Sequence, residues 1–213
     1  MVKGAIFDMD GVIVHNISHH LKAWKQLGSE LGREFEEADI KRLFGKRNRE
    51  ILSSLMGSDL NDEKLAGYGE RKEEMYRQIM KPDLRPVDGL PEFLSALKHH
   101  QIKTAVATSG PTGNVRFVLE GLGLQDAFDS IITGPEVRES KPHPAIFLLA
   151  AERLGLRSDD CVVFEDSPPG IQAAKAAGCR CIALATTHAA EELTQYRPDR
   201  IIRDFREIGI ASL

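Results

Sequence analysis

A chain of 213 residues, 42% hydrophobic and 28% charged, has room for one sizeable core, or for one core and a small accessory domain. Its net charge of −4 excludes the basic footprint of a nucleic-acid binder, and no apolar run approaches the roughly 18 residues that a membrane span needs. Cys161, Cys179 and Cys181 read as small buried hydrophobes in a reducing compartment, not as metal ligands or a disulfide. Asp8 and Asp10 interrupt the apolar start, so no signal-peptide pattern is seen and a cytoplasmic monomer is the expectation.

In chain order, Lys3 to Phe7 is an apolar run too brief for a helix and reads as a buried strand. It runs into Asp8-Met9-Asp10-Gly11, where the glycine permits a sharp exit. An EF-hand calcium loop is excluded, because taking Gly11 as its fixed glycine puts Ile6 and Ile17 at the first and last ligand positions. Residues His15 to Leu31 carry Ile17, Leu21, Trp24, Leu27 and Leu31 near helical spacing, with Asn16 or Ser18 as the cap. Glu36 to Lys81 is helical throughout: Leu43-Phe44-Gly45, Ile51 to Gly57 and Leu65 to Met80 are the segments, and Pro82 and Pro86 close the block.

From Leu90 the pattern alternates. Helices at Pro91–His99, Asn114–Leu122, Pro144–Leu154 and Gly170–Ala177 precede strands at Ile102–Thr108, Ser130–Thr133, Cys161–Phe164 and Arg180–Ala185, with a last strand near Arg200–Ile202. Such alternation predicts an α/β fold with a Rossmann-like parallel sheet, formed by residues 1–14 and 88–213. Residues 15–87 would then be a small α-helical cap inserted after the first strand, hinged near 14–17 and 82–88.

Polar residues fall at the C-terminal ends of these strands: Asp8 and Asp10, Thr108-Ser109-Gly110, Ser140-Lys141-Pro142 and Glu165-Asp166-Ser167. Ligands of open α/β sheets bind outside those ends, so the sets converge on one site. Asp8, Asp10, Glu165 and Asp166 are hard oxygen donors suited to Mg²⁺ rather than zinc. Lys141 supplies a positive charge for a phosphate oxygen or a carboxylate nucleophile, while Thr108, Ser109 and Gly110 offer a hydroxyl and backbone N–H groups to an anion. The set describes phosphoryl transfer through an aspartyl-phosphate.

Phe7-Asp8-Met9-Asp10-Gly11-Val12, Thr108-Ser109, Ser140-Lys141-Pro142 and Phe164-Glu165-Asp166-Ser167 together resemble, in order, the motifs of the haloacid dehalogenase superfamily, and the helical insertion is similar to its β-phosphoglucomutase-like subgroup. The resemblance implies that Asp8 is the nucleophile, that Asp10 protonates the leaving oxygen and then deprotonates the acceptor, and that Thr108 and Lys141 hold the phosphoryl oxygens. It implies Mg²⁺ at Asp8, the Asp10 carbonyl and Asp166, with Glu165 beside or on the metal. On the cap, His20 and Trp24, the Gly45-Lys46-Arg47-Asn48-Arg49 loop and Lys72 with Tyr76 resemble substrate-binding elements, with Arg47 or Arg49 as the contact. His15-Asn16 and Gly110-Pro111-Thr112 depart from the family pattern, the second losing a lysine near phosphate, although Asn114 is close by.

His19, His99 and His100 read instead as solvated helix histidines, and Trp24 as packing. A phosphatase of a small phosphorylated metabolite, a sugar phosphate, is the expected function, with neither nucleic acid nor membrane as partner. A phosphosugar mutase is the alternative. A ligand-binding protein without catalysis would have lost Asp8 or Asp10, and both are present.

Overall fold

The computed structural model describes residues 2–57 and 60–213. Strand β1 (Gly4–Phe7) is buried along its length, as befits a parallel strand covered by helices on both faces. The helical block follows as α1 (Ile17–Glu30), α2 (Glu37–Arg42), α3 (Asn48–Met56) and α4 (Asp62–Met80). The segment expected to be helical at Leu43–Gly45 is the turn after α2, and Gly45 takes a left-handed φ of +87° there. A side chain at Gly45 would also press on Ser167 and Pro169, so the glycine is what lets this loop approach the core.

Next come α5 (Leu90–His99), β2 (Lys103–Ala107), α6 (Thr112–Leu122), β3 (Ser130–Ile132), α7 (Ala145–Arg153), β4 (Cys161–Glu165), α8 (Pro168–Ala176), β5 (Arg180–Leu184), α9 (Ala190–Thr194) and β6 (Arg200–Ile202). Helix α9 has no sequence expectation behind it, because its five residues are too few to display a helical period. The six strands lie in the order β3-β2-β1-β4-β5-β6, all pairs parallel. The chain reverses direction across the sheet between β1 and β4, the switch point where such sheets open a binding crevice. Phe7 is in register with Val106 and Phe164, which sets Asp8 beside the ends of both neighbouring strands.

Phe7 stacks on Phe164 at 4.8 Å, with Phe93 and Phe205 packed around them on one face. The opposite face buries Ile6, Val163, Cys161 and Cys181 against Phe147 and Ile171. All of the cysteines are free and buried, as expected. Trp24, Leu27, Leu52 and Met75 of the helical block belong to the same apolar cluster as Phe7. The two crossings into that block run side by side, with Val14 bridged to Pro86 and the Val87 N–H donating to the Ile13 carbonyl at 3.0 Å. Among the described residues, no helix is long and apolar enough to cross a membrane.

Candidate active site

Asp8 leaves the end of β1 and meets Lys141, whose ammonium donates to Asp8 Oδ1 at 2.8 Å and to Glu165 Oε1 at 2.6 Å. Lys141 is itself buried, and Glu165 fully so. The other oxygen of Glu165 accepts from the backbone N–H groups of Asp166 and Ser167 and from the Ser167 hydroxyl, at 2.8–2.9 Å. Ser167 also caps α8 by accepting from the Gly170 N–H. A side chain at Gly170 would collide with Glu165, so the first turn of α8 is built around this carboxylate. Glu165 therefore holds Lys141 in place with both of its oxygens engaged. Thr108, buried at the end of β2, accepts from the Gly110 N–H at 3.1 Å.

Asp10 faces the helical block instead. Its Oδ1 accepts from the Asn16 amide at 2.5 Å and lies 3.3 Å from His20 Nε2. His20 Nδ1 is 2.7 Å from the buried Lys72 ammonium, which donates to Glu73 Oε1 at 3.0 Å. Glu73 also accepts from Asn48 at 2.6 Å and from Asn114 at 2.7 Å. Asn16 stands at the N-cap position of α1 but makes no side-chain cap; its amide is used by Asp10 and by the Tyr76 hydroxyl at 2.7 Å. His19 and His20 are buried, not solvated: His19 pairs with Asp83 at 2.9 Å, and His20 stacks on Tyr76 at 3.8 Å. His99 and His100 are exposed as expected.

These settings push the two aspartates apart. Burial raises Asp8 to about 7, with repulsion from Glu165 and Asp10 working against the pull of Lys141. Burial also lifts Asp166 well above the carboxylate range, helped by Glu165 and Asp8. Burial acts on Asp10 too, but His20, Asn16 and Lys72 outweigh it and leave Asp10 below its usual value. Lys141 is raised despite its burial, because Asp8 and Glu165 favour its charge.

One oxygen from each of Asp8, Glu165 and Asp166 lies within 4.8 Å of the others. Three carboxylates share a single ammonium, and the donors are all oxygen, so the cluster suits a hard divalent cation such as Mg²⁺. The Asp10 side chain is outside this cluster, and its part in an ion site would be the backbone carbonyl alone.

A cavity of about 310 Å³ opens over Asp8, Asp10, Thr108 and Asp166 and runs up to the helical block. Trp24, Ser109 and Gly110 line it, Trp24 being buried beneath Lys72 at 4.9 Å, so it packs and faces the cavity at once. Arg47 and Arg49 both line the cavity, yet they behave differently. Arg47 reaches across to the Val137 carbonyl at 3.0 Å, while Arg49 leans onto the exposed Asp62 at 2.6 Å. Asn114, expected as a substrate contact, lines the cavity and also serves the seam between α4 and α6, holding Glu73 and accepting from Arg77 at 3.0 Å. Further seam contacts join the Ser109 hydroxyl to the Gly45 carbonyl at 2.7 Å and Ser140 to both oxygens of Glu50 at 2.6 and 2.7 Å. Helical block and sheet are thus drawn together over the cavity.

Glu73 and the pair Thr186-Thr187 carry no sequence expectation attached to a site, and Asn16 carries one only as a helix cap. The pair follows β5 at the same sheet edge as the other polar sets, so the rule that found those would have found it. Glu73 carried no such signal, since acids at that helical spacing are ordinarily solvated.

The haloacid dehalogenase-like hydrolase family matches residues 5–184. The chain is 31% identical to the validoxylamine A 7'-phosphate phosphatase of Streptomyces hygroscopicus subsp. limoneus, over 98% of its own length and 96% of the relative's. It is 34% identical to the phosphorylated carbohydrates phosphatase of Thermotoga maritima, over 83% and 82% of the two chains. The β-phosphoglucomutase of Bacillus subtilis is also 34% identical, over 83% and 80%. Among solved structures, a HAD hydrolase of family IA, variant 3, from Entamoeba histolytica superposes with a TM-score of 0.91 at 31% identity, over 99% and 96% of the chains. With the strand-end motifs and the sheet order in agreement, the chain belongs to the haloacid dehalogenase-like hydrolases, as a phosphoryl-transfer enzyme of the β-phosphoglucomutase-like subgroup.

Proposed function

We propose that this enzyme is a Mg²⁺-dependent phosphatase of a small sugar phosphate, working through an aspartyl-phosphate on Asp8. The supporting observation is the split between two aspartates at one cavity. Asp8 is locked by Lys141 among the acids, and Asp10 is held by His20 and Asn16. An oxygen of Asp8 attacks phosphorus as the bond to the leaving oxygen breaks, and Asp10 delivers the proton that oxygen needs. Asp10 rests ionised, so it takes up a proton before it serves as the acid, and Asn16 and His20 hold its carboxylate in place. Water then attacks phosphorus, Asp10 removes its proton, and Asp8 is released with inorganic phosphate. Lys141 and Thr108 steady the charge on the phosphoryl oxygens in both halves. Asp8, Asp166 and the Asp10 carbonyl would hold Mg²⁺, which supplies charge neutralisation for the phosphoryl group when bound.

Residues 15–87 act in this reading as a cap domain that opens to admit substrate and closes to exclude water. Arg47 and Lys46 face the non-reacting end of the sugar phosphate. That the Thermotoga maritima relative is named a phosphorylated carbohydrates phosphatase supports the substrate class. Free buried cysteines fit a reducing compartment such as the cytoplasm.

The test is phosphate release from a panel of sugar phosphates, with Mg²⁺ and with EDTA, for wild type and Asp8→Asn. Release that survives the substitution removes Asp8 from the nucleophile's role, and release that survives EDTA removes the metal. A mutase is the second reading, favoured by the drawn-together seam and by the Bacillus subtilis relative. With β-glucose 1-phosphate and a trace of the bisphosphate, the phosphatase yields glucose and phosphate, whereas a mutase yields glucose 6-phosphate.

A further inference from the structure

The pair of threonines after β5 ties two of the strand-end loops together. The Thr186 hydroxyl donates to the Gly11 carbonyl at 2.6 Å, on the turn that carries Asp10. The Thr187 hydroxyl donates to Asp166 Oδ2. Gly11 has a φ of +75°, and a Cβ there would strike the Asp166 carboxylate and come within 2.8 Å of Thr187 Oγ1. Asp166, Thr187 and the Gly11 backbone thus interlock, leaving the carboxylate little freedom to rotate.

The consequence lies in which oxygens stay free. Lys141 occupies Asp8 Oδ1, and Thr187 occupies Asp166 Oδ2. Both oxygens of Glu165 carry donors. Among the described residues, Asp8 and Asp166 therefore each keep one oxygen without a side-chain donor, in a cluster where one oxygen of each lies within 4.8 Å of the other. Mg²⁺ takes single carboxylate oxygens in a strict octahedron and keeps its waters. Ca²⁺ is larger, takes six to eight oxygens and commonly uses both oxygens of one carboxylate.

We infer that Thr187 is a specificity-determining residue for the divalent cation: by holding Asp166 Oδ2 it makes Asp166 a one-oxygen ligand and disfavours Ca²⁺. The inference rests on the proposed magnesium site. Thr187 itself is no ligand and acts through Asp166.

Calorimetric titration of the full-length protein with Mg²⁺ and with Ca²⁺ tests it, on wild type, Thr187→Val, Thr187→Ala and Thr187→Ser. Valine keeps the shape and removes the donor; alanine serves if the apolar branched side chain disturbs folding, which a thermal melt checks. Wild type and Thr187→Ser are expected to prefer Mg²⁺. In Thr187→Val the Mg²⁺-to-Ca²⁺ affinity ratio falls about tenfold or more, the size of one lost hydrogen bond to a carboxylate. A ratio unchanged in both Thr187→Val and Thr187→Ala overturns the inference and leaves the magnesium site standing. A wild type with no saturable Mg²⁺ binding that Asp166→Asn abolishes overturns the site and this inference together.

Discussion

The two walls of the cavity are made differently. On the sheet side, Asp8, Lys141, Glu165 and Asp166 each come from the end of a strand or the loop just past one, and backbone N–H groups and short ion pairs fix them. On the helical side, His20 of α1, Asn48 of α3 and the neighbours Lys72 and Glu73 of α4 are fixed by one another, across a seam that Asn114 and Ser140 complete. The sheet wall is rigid because parallel strands set its spacing; the helical wall holds only as long as its helices stay docked. In the proposed function the first carries the chemistry and the second the recognition.

The sharpest way to break that division is Asp8→Asn. Loss of the nucleophile should lower turnover on the order of a thousandfold or more on every phosphomonoester. The same substitution should stabilise the metal-free protein. Asp8 titrates near 3.8 when unfolded and at about 7 when folded, so between those values the native state binds more protons and its stability falls as pH rises. In EDTA, Asp8→Asn is expected to raise the melting temperature by several degrees at pH 8 and by little at pH 4. Equal melting temperatures at both pH values would show that Asp8 is not strained by burial. By the same linkage, apparent Mg²⁺ affinity should rise as pH increases through about 7, which calorimetry at a series of pH values measures.

Lys141→Ala leaves Asp8 and Glu165 buried without their cation, and breaking such a pair costs about 3–5 kcal/mol. Denaturant melts in EDTA should show a loss of that order, and a loss under about 1 kcal/mol would mean that the carboxylates find other partners. Across the cavity, Lys72→Ala sharpens the comparison, because Lys72 touches both recognition and, through His20, the acid–base residue. About a hundredfold loss on sugar phosphates against about tenfold on p-nitrophenyl phosphate is expected. Equal losses on both would leave Lys72 as a support of Asp10 alone. The smallest effect belongs to the seam: Glu50→Gln should raise KM a few-fold with kcat nearly unchanged, and a change in kcat alone would count against a role in closure.

The sequence by itself determined the sheet wall. Parallel strands are buried apolar runs, so they can be read directly, and an aspartate or lysine that interrupts the chain just past one must lie at the sheet's carboxyl edge. Asp8, Thr108, Lys141 and Asp166 followed from position alone, without any knowledge of what they would touch. Glu165 was legible as a member of the set, but its double engagement by Lys141 and the first turn of α8 was not.

Only the tertiary structure decided the helical wall. Helical period places Trp24 and Tyr76 inward but says nothing about the rotation of one helix on another, and that rotation buries Glu73 against Asn48 and Asn114 and turns Arg49 toward Asp62. Asn16 shows the limit most plainly: local rules make it a helix cap, and the nearby Asp10 and Tyr76 take its amide instead. Strand ends are fixed by backbone hydrogen bonds that any sequence makes, whereas side chains meeting between helices depend on packing that no short stretch of residues contains.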